Sequence, residues 1–355
     1  MQTLYRRLLN LLPKLGMQVL DLGPGDALVS RRGGRTRLPV GQGADLLARR
    51  NGGYAVTQVG EDTWVIARDR PAGAKAKAKA KAKPQAEAQA KAQAQAKAVG
   101  AWESVRLGDT GAHLLLDPQA SAGDERVFQL AAAEYLCAHH VTALLDKYEV
   151  NCVFDVGANA GQYGSRLRRL GYTGRIVSFE PTSAAFAKLQ KKAANDPDWW
   201  VFNFGLGRED ATLDIHVDWN SMNSLLPPTD YGRGRYKRFA KSNTEQIEIR
   251  RLEAVMEEAL DGLADPRPYL KMDTQGYDLE VFGGAGKRIE EFVGMQSEVA
   301  LLQLYEGSPR MHEAVAVYED SGFEITGMYP VTREPATGRV VEFDCVMMRA
   351  AASGG

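Results

Sequence analysis

The sequence predicts an α/β fold: a mostly parallel sheet with helices on both faces, preceded by a small α+β domain. Three observations carry this. From residue 101 onward, short apolar runs alternate with helical patterns, the signature of parallel strands joined by crossover helices. An Ala/Lys/Gln tract over residues 71–100 sets that region apart. Before the tract, Gly-punctuated apolar runs take over, as in β-hairpins.

The first twenty residues, MQTLYRRLLNLLPKLGMQVL, are basic and apolar. Pro13 and Lys14 interrupt them and no small-residue cleavage site follows, so they read as a short amphipathic helix rather than a signal peptide. Tyr54–Val59 and Thr63–Ala67 read as strands, and residues 1–70 as a small domain to which the sequence assigns no role. Residues 71–100 have almost nothing apolar to bury, so a solvated, partly helical linker is expected.

Residues 101–355 form the expected catalytic domain. Its strands are predicted at Cys152–Val156, Arg175–Phe179, Trp199–Phe204, Tyr269–Met272 and Val299–Leu304. Helices are predicted at Val127–Leu145, Gln162–Leu170, Ser183–Ala194, Leu252–Leu260, Asp278–Gly283 and Met311–Asp320. The run Val340–Met348 predicts an antiparallel strand finishing the sheet.

Bulk properties narrow the function. A net charge of −1 argues against a nucleic-acid binder working by overall charge. No apolar run reaches the length of a membrane-spanning helix. The three cysteines, Cys137, Cys152 and Cys345, show no CxxC spacing. They suggest neither a zinc site nor a disulfide framework, and a reducing, cytoplasmic setting is expected. His139-His140 lacks acidic or Cys partners at ligand spacing, so no metal is expected.

The chemistry concentrates in VFDVGANAGQYG, Val153–Gly164. Asp155, Gly157, Asn159 and Gly161 follow a strand and lead into a helix, where small residues let the backbone approach a ligand. The next strand ends in Glu180-Pro181, and an acid at that tip can accept both hydroxyls of a ribose. A dinucleotide fingerprint wants glycine where Asn159 stands. Asp155 would repel a pyrophosphate but suit the ammonium end of S-adenosylmethionine, so the pattern favours that cofactor over NAD. A valine at Gly157 is expected to block the cofactor while sparing the fold. A second stretch, Asp21–Asp26, also alternates glycines, but neither a helix nor an acid-tipped strand follows, and it reads as a turn.

At these residues the chain resembles the FkbM family of class I methyltransferases. Five blocks carry the resemblance in family order: VFDVGANAGQYGSRLRRLGY, GRIVSFEPTSAAFAKL, SMNSLLP, LKMDTQGYDLEVFGGA and SEVALLQLYEG, within Val127–Arg349. The resemblance implies a Rossmann-like sheet and methyl transfer from S-adenosyl-L-methionine to oxygen, typically a hydroxyl of a sugar, glycan or polyketide-like product. Gly205 departs from the family's usual Ala and is counted, with the residues above, among the cofactor contacts. Residues 1–100 match nothing in the family and are candidates for association with a partner or a second copy.

On the acceptor side, Lys271 and Asp273 are two apart at the end of the fourth strand. A carboxylate beside the methyl group can accept a hydroxyl proton or orient the hydroxyl. Glu298 is expected to open the fifth strand, as a further catalytic candidate or a partner of Lys271, and Tyr305 to close it. Ser221, Asn223, Ser224, Gln275 and Tyr305 are the candidate acceptor contacts. Two other readings compete: an NAD-dependent oxidoreductase, disfavoured by Asn159, and a non-catalytic binding module, disfavoured by the intact Asp155, Glu180 and Asp273.

Overall fold

The computed structural model describes the backbone of residues 17–23, 26–31, 44–47, 54–60, 63–68, 103–107, 112–116 and 125–349. Side chains are described over 129–130 and 132–349. The expected N-terminal helix and the Ala/Lys/Gln linker lie outside these residues.

The chain divides into two compact units, Met1–Ala132 and Ala133–Gly355. In the first, β1 (Met17–Gly23), β2 (Asp26–Arg31) and β3 (Ala44–Leu47) form an antiparallel sheet. Gly23 pairs with Asp26, so the glycine-alternating stretch is a hairpin. A second sheet has the order β4-β5-β7-β6, built from β4 (Tyr54–Gly60), β5 (Thr63–Arg68), β6 (Glu103–Leu107) and β7 (Ala112–Leu116). Here the structure departs from the boundary read at residue 101. Leu116 of β7 pairs with Thr63 of β5, so β7 satisfies backbone groups against a strand that precedes the linker, and β6 joins that sheet through β7.

The second unit is built on a seven-stranded sheet. Helix α1 (Glu125–Lys147) leads to β8 (Cys152–Val156), followed by α2 (Gln162–Arg169), β9 (Arg175–Phe179), α3 (Ser183–Ala193) and β10 (Trp199–Phe202). Three strands, β11 (Gly205–Gly207), β12 (Ala211–His216) and β13 (Thr244–Arg251), then form a separate small sheet, with α4 (Asp230–Arg235) between the last two. The main sheet resumes with α5 (Leu252–Leu260), β14 (Pro268–Met272), α6 (Asp278–Gly283), β15 (Gly294–Ala300), α7 (Met311–Asp320), β16 (Phe323–Arg333) and β17 (Val340–Arg349). Its order is β10-β9-β8-β14-β15-β17-β16; the first five strands run parallel, and β17 pairs antiparallel with both neighbours.

β8 is buried along its whole length, as a central parallel strand must be. Its period of two sorts the core. Phe154 and Val156 join Leu270, Val177, Met256, Val281 and Tyr318 on the face covered by α5, α6 and α7. Val153 joins Ile176, Tyr269, Leu145, Leu167 and Leu189 on the face covered by α1, α2 and α3. From β8 the chain winds outward to β9 and β10, then returns to β14 on the other flank. The reversal opens a crevice beyond the carboxyl ends of β8 and β14, where such sheets bind ligands.

Two sequence expectations need correction. The fifth parallel strand is Gly294–Ala300, not Val299–Leu304. Its polar residues are buried with partners: Gln296 donates to Asp344, and Ser297 to Asp278. That polarity disguised the strand. Glu298 therefore sits near its end rather than its start, and Tyr305 lies beyond it. The β11–β13 sheet and β16 were not predicted.

Candidate active site

The loop after β8 is built on positive-φ residues: Gly157 at 74°, Asn159 at 49° and Gly161 at 77°. The Gly157 and Ala158 amides donate to the Phe179 carbonyl at 3.1 and 3.0 Å, and the Asp273 amide donates to Val156 O at 3.1 Å. A Cβ on Gly157 would lie 2.1 Å from the Asp273 carbonyl oxygen. Glycine therefore lets the tips of β8 and β14 touch.

This places Glu180 and Asp273 on one cleft. At the β9 end, Glu180 Oε2 accepts from the Asn159 amide at 2.8 Å, and Oε1 accepts from the Thr182 amide and hydroxyl at 2.9 and 2.5 Å. Burial raises the Glu180 pKa, while the Thr182 and Asn159 hydrogen bonds oppose that rise. Oε1 thus has both lone pairs engaged, while Oε2 keeps one for a ligand. Gly157, Asn159, Pro181 and Gly205 line the same cleft, as do Ser221, Asn223, Asp273 and Gln275.

Asp155 does not line the cleft. It shares the Val153 face of β8, fully buried, opposite Lys271 in the β8/β14 register. Its Oδ1 is 3.1 Å from Lys271 Nζ, and its Oδ2 accepts from Ser178 Oγ at 3.1 Å. The carboxylate expected beside a ligand ammonium is thus spent on an internal pair. Gly161 also lies outside the cleft; as N-cap of α2 it packs near Leu189 and Trp199.

Lys271 reaches Asp155, Asp273 Oδ2 at 3.6 Å and the Gly157 carbonyl at 3.4 Å. It does not pair with Glu298. Burial pulls its pKa down, but Asp155 and Asp273 more than offset this and hold it above the ordinary lysine value. Lys271 stays an ammonium and cannot serve as a base.

Asp273 follows β14 with its side chain 41% exposed. It is no helix cap: α6 starts after Tyr277, and Asp278 Oδ1 takes the Thr274 amide and hydroxyl instead. Gln275, at φ 54°, donates its amide to Asp273 Oδ1 and to Glu298 Oε2, each at 2.9 Å. The Tyr305 hydroxyl lies 2.8 Å from Gln275 Oε1 and 2.9 Å from the Met222 carbonyl, and donates to one at a time. Ser224 is buried and donates to the Gln275 carbonyl at 2.8 Å, supporting that strained turn rather than facing the cleft. Burial raises the Glu298 carboxyl well above its ordinary range, with Glu342 and Asp273 adding to the rise.

Sequence reasoning missed the apolar wall formed by Ile215, Ile247 and Ile249, and the contributions of Thr182, Asn220 and Tyr277. The signal for that wall was present: Ile247 and Ile249 alternate with polar residues in TEQIEIRR, a period-two pattern. His140 is engaged elsewhere, with Nδ1 2.9 Å from the Tyr329 hydroxyl.

Comparison with known proteins found one family model and several relatives. The Methyltransferase FkbM domain model matches residues 155–325. Methyltransferase sdnD of Sordaria araneosa is 28% identical over 195 residues, covering 49% of this chain and 74% of that protein. Among solved structures, magnesium protoporphyrin IX methyltransferase (ChlM) of Synechocystis PCC 6803 is 12% identical over 64% of this chain and 87% of its own, with a TM-score of 0.34. Aeropyrum pernix fibrillarin with bound S-adenosyl-L-methionine is 11% identical over 93% of this chain and 98% of its own, with a TM-score of 0.36. Residues 155–325 thus match the FkbM methyltransferase domain, and the chain is an S-adenosylmethionine-dependent methyltransferase.

Proposed function

We propose that the protein methylates oxygen, transferring the methyl group to a hydroxyl of a sugar, glycan or polyketide-like product. One observation carries this reading: Asp273 presents a partly exposed carboxylate to the cleft at the tip of β14, oriented by the Gln275 amide.

The cleft fits the cofactor. Glu180, held by three protein donors, offers its remaining Oε2 lone pair to a ribose hydroxyl at one end. Ile215, Ile247 and Ile249 give a flat apolar wall for an adenine ring. Gly157, Asn159, Pro181 and Gly205 keep the backbone close without side-chain bulk or charge. S-adenosylmethionine supplies an electrophilic methyl group on a sulfonium. The chain's own task is to hold the acceptor hydroxyl in line and take its proton. Asp273 Oδ2 is the atom placed to receive that proton. Lys271 stays cationic between Asp155 and Asp273 and so takes no proton itself. Ser221 and Asn223 add hydrogen-bonding groups for a hydroxylated acceptor. In this reading Ser224 and Tyr305 position the Gln275 turn. Residues 1–100 serve acceptor delivery or association, in a reducing cytoplasmic setting where Cys137, Cys152 and Cys345, all free and buried, stay thiols.

A screen of hydroxylated acceptors with methyl-¹³C-labelled cofactor tests this. The expected product carries the label as a methyl ether, identified by its carbon shift. Label found only on nitrogen or carbon, across acceptors that are turned over, would overturn the oxygen assignment.

A further inference from the structure

On the other side of the Thr274–Asp278 segment lies a second, small cavity. Thr274, Gln275 and Tyr277 line the cleft described above, whereas Gly276 and Asp278 line this one. Its lining includes three acidic residues, Asp278, Glu298 and Glu342, together with Tyr305 and Ser308. Two are satisfied from within. Asp278 accepts from Thr274 and from Ser297 Oγ, the latter at 2.7 Å, and Glu298 accepts from Gln275.

Glu342 is different. It is 8% exposed and lines the cavity, yet its carboxylate accepts no hydrogen bond and joins no ion pair among the described residues. Arg235, the cation that most favours its charge, donates only its Nη2, to Thr332 Oγ1 and the Arg333 carbonyl, and makes no ion pair with it. A buried carboxylate without a partner is costly, and such costs concentrate where a ligand supplies the partner. Among the described residues no three acidic, His or Cys side chains converge closely enough for a metal ion. An organic ammonium, with three divergent donors, suits spaced carboxylates and hydroxyls better.

We propose that this second cavity is an ammonium subsite, which holds a protonated primary amine of the methyl acceptor while a neighbouring hydroxyl of the same molecule reaches Asp273. The proposal rests on the methyltransferase reading and narrows its substrate class to hydroxylated primary amines. Gln275 links the two sites, since its amide donates both to Asp273 on the cleft and to Glu298 on the cavity. An amine bound to carboxylates keeps its proton and has no lone pair with which to attack the methyl group. The amine therefore selects the acceptor, and the hydroxyl is methylated. Burial holds Glu298 and Glu342 above the ordinary carboxylate range, with Asp273, Asp278 and Asp344 raising them further. An arriving ammonium favours their charged forms, so binding expels protons.

Calorimetry of the full chain tests this, with S-adenosylhomocysteine bound first. The probes are 2-amino-1,3-propanediol and glycerol, which share a skeleton and differ by amine against hydroxyl. The aminodiol should bind about tenfold or more tighter than glycerol, the scale of a charged hydrogen bond. Its apparent enthalpy should vary with the ionisation heat of the buffer, reporting proton release. Glu342→Gln or Glu298→Gln should weaken it about tenfold or more. Retained S-adenosylhomocysteine binding shows that each variant is folded. Equal affinity for the two probes, or aminodiol binding unchanged in both variants, overturns the subsite. Failure of the wild-type chain to bind S-adenosylhomocysteine would instead remove the methyltransferase reading beneath it.

Discussion

Asp273→Asn is expected to lower methyl-transfer turnover about 10²- to 10⁴-fold, the span for a lost general base. The amide keeps the shape of the carboxylate and can still accept the Gln275 hydrogen bond at Oδ1. It cannot take a proton, and it removes the charge facing Lys271 at 3.6 Å. Cofactor affinity should survive, because the Glu180 end of the cleft is untouched. A general base gives the wild-type pH–rate profile an acidic limb, which the variant should lack. If the carboxylate only orients the hydroxyl, the loss should be nearer tenfold, since an amide can orient too. Steady-state kinetics across pH decide this. Full activity with an unchanged profile would remove Asp273 from the chemistry.

Gly157→Val is expected to destabilise the catalytic unit by about 3 kcal/mol or more. Linear reading had this substitution blocking the cofactor and sparing the fold, but the geometry does not allow that. The added Cβ would lie 2.1 Å from the Asp273 carbonyl oxygen, and backbone cannot swing aside as a side chain can. A β-branched residue at φ 74° is also strained. Roughly 6–12 °C of melting temperature should be lost for a domain of about 200 residues. A Gly157→Val protein that melts like the wild type would contradict the contact between the β8 and β14 tips.

The difference between these two residues shows what the sequence could tell. The glycine turn, the acid at the tip of β9 and the carboxylate after β14 were legible because each sits at the end of a mostly apolar run. Whether a side chain on those strands faces the ligand depends on parity and register, which linear spacing does not carry. Asp155 lies one residue from Phe154 and so on the opposite face of β8, where the parallel register sets it against Lys271. Its apparent match to a ligand ammonium was a matter of spacing alone. β15 was misplaced for a related reason: Gln296, Ser297 and Glu298 are polar, yet they are buried or half-buried because other elements supply their partners. The acidic cavity was beyond reach, since Glu342 meets Glu298 only through the antiparallel pairing of β17 with β15. Likewise, nothing in the low-complexity tract showed that strands on its two sides belong to one sheet.

The central claim is that the cleft between Glu180 and Asp273 is the S-adenosylmethionine site. Calorimetric titration of the full chain and of Glu180→Ala tests it most directly. The wild type should bind S-adenosylmethionine and not NAD. Glu180→Ala should weaken that binding by about 1.5–3 kcal/mol, roughly ten- to 150-fold, the cost of removing a charged hydrogen-bonding group. An unchanged affinity in Glu180→Ala, or a wild-type chain that binds NAD in place of S-adenosylmethionine, would contradict the account.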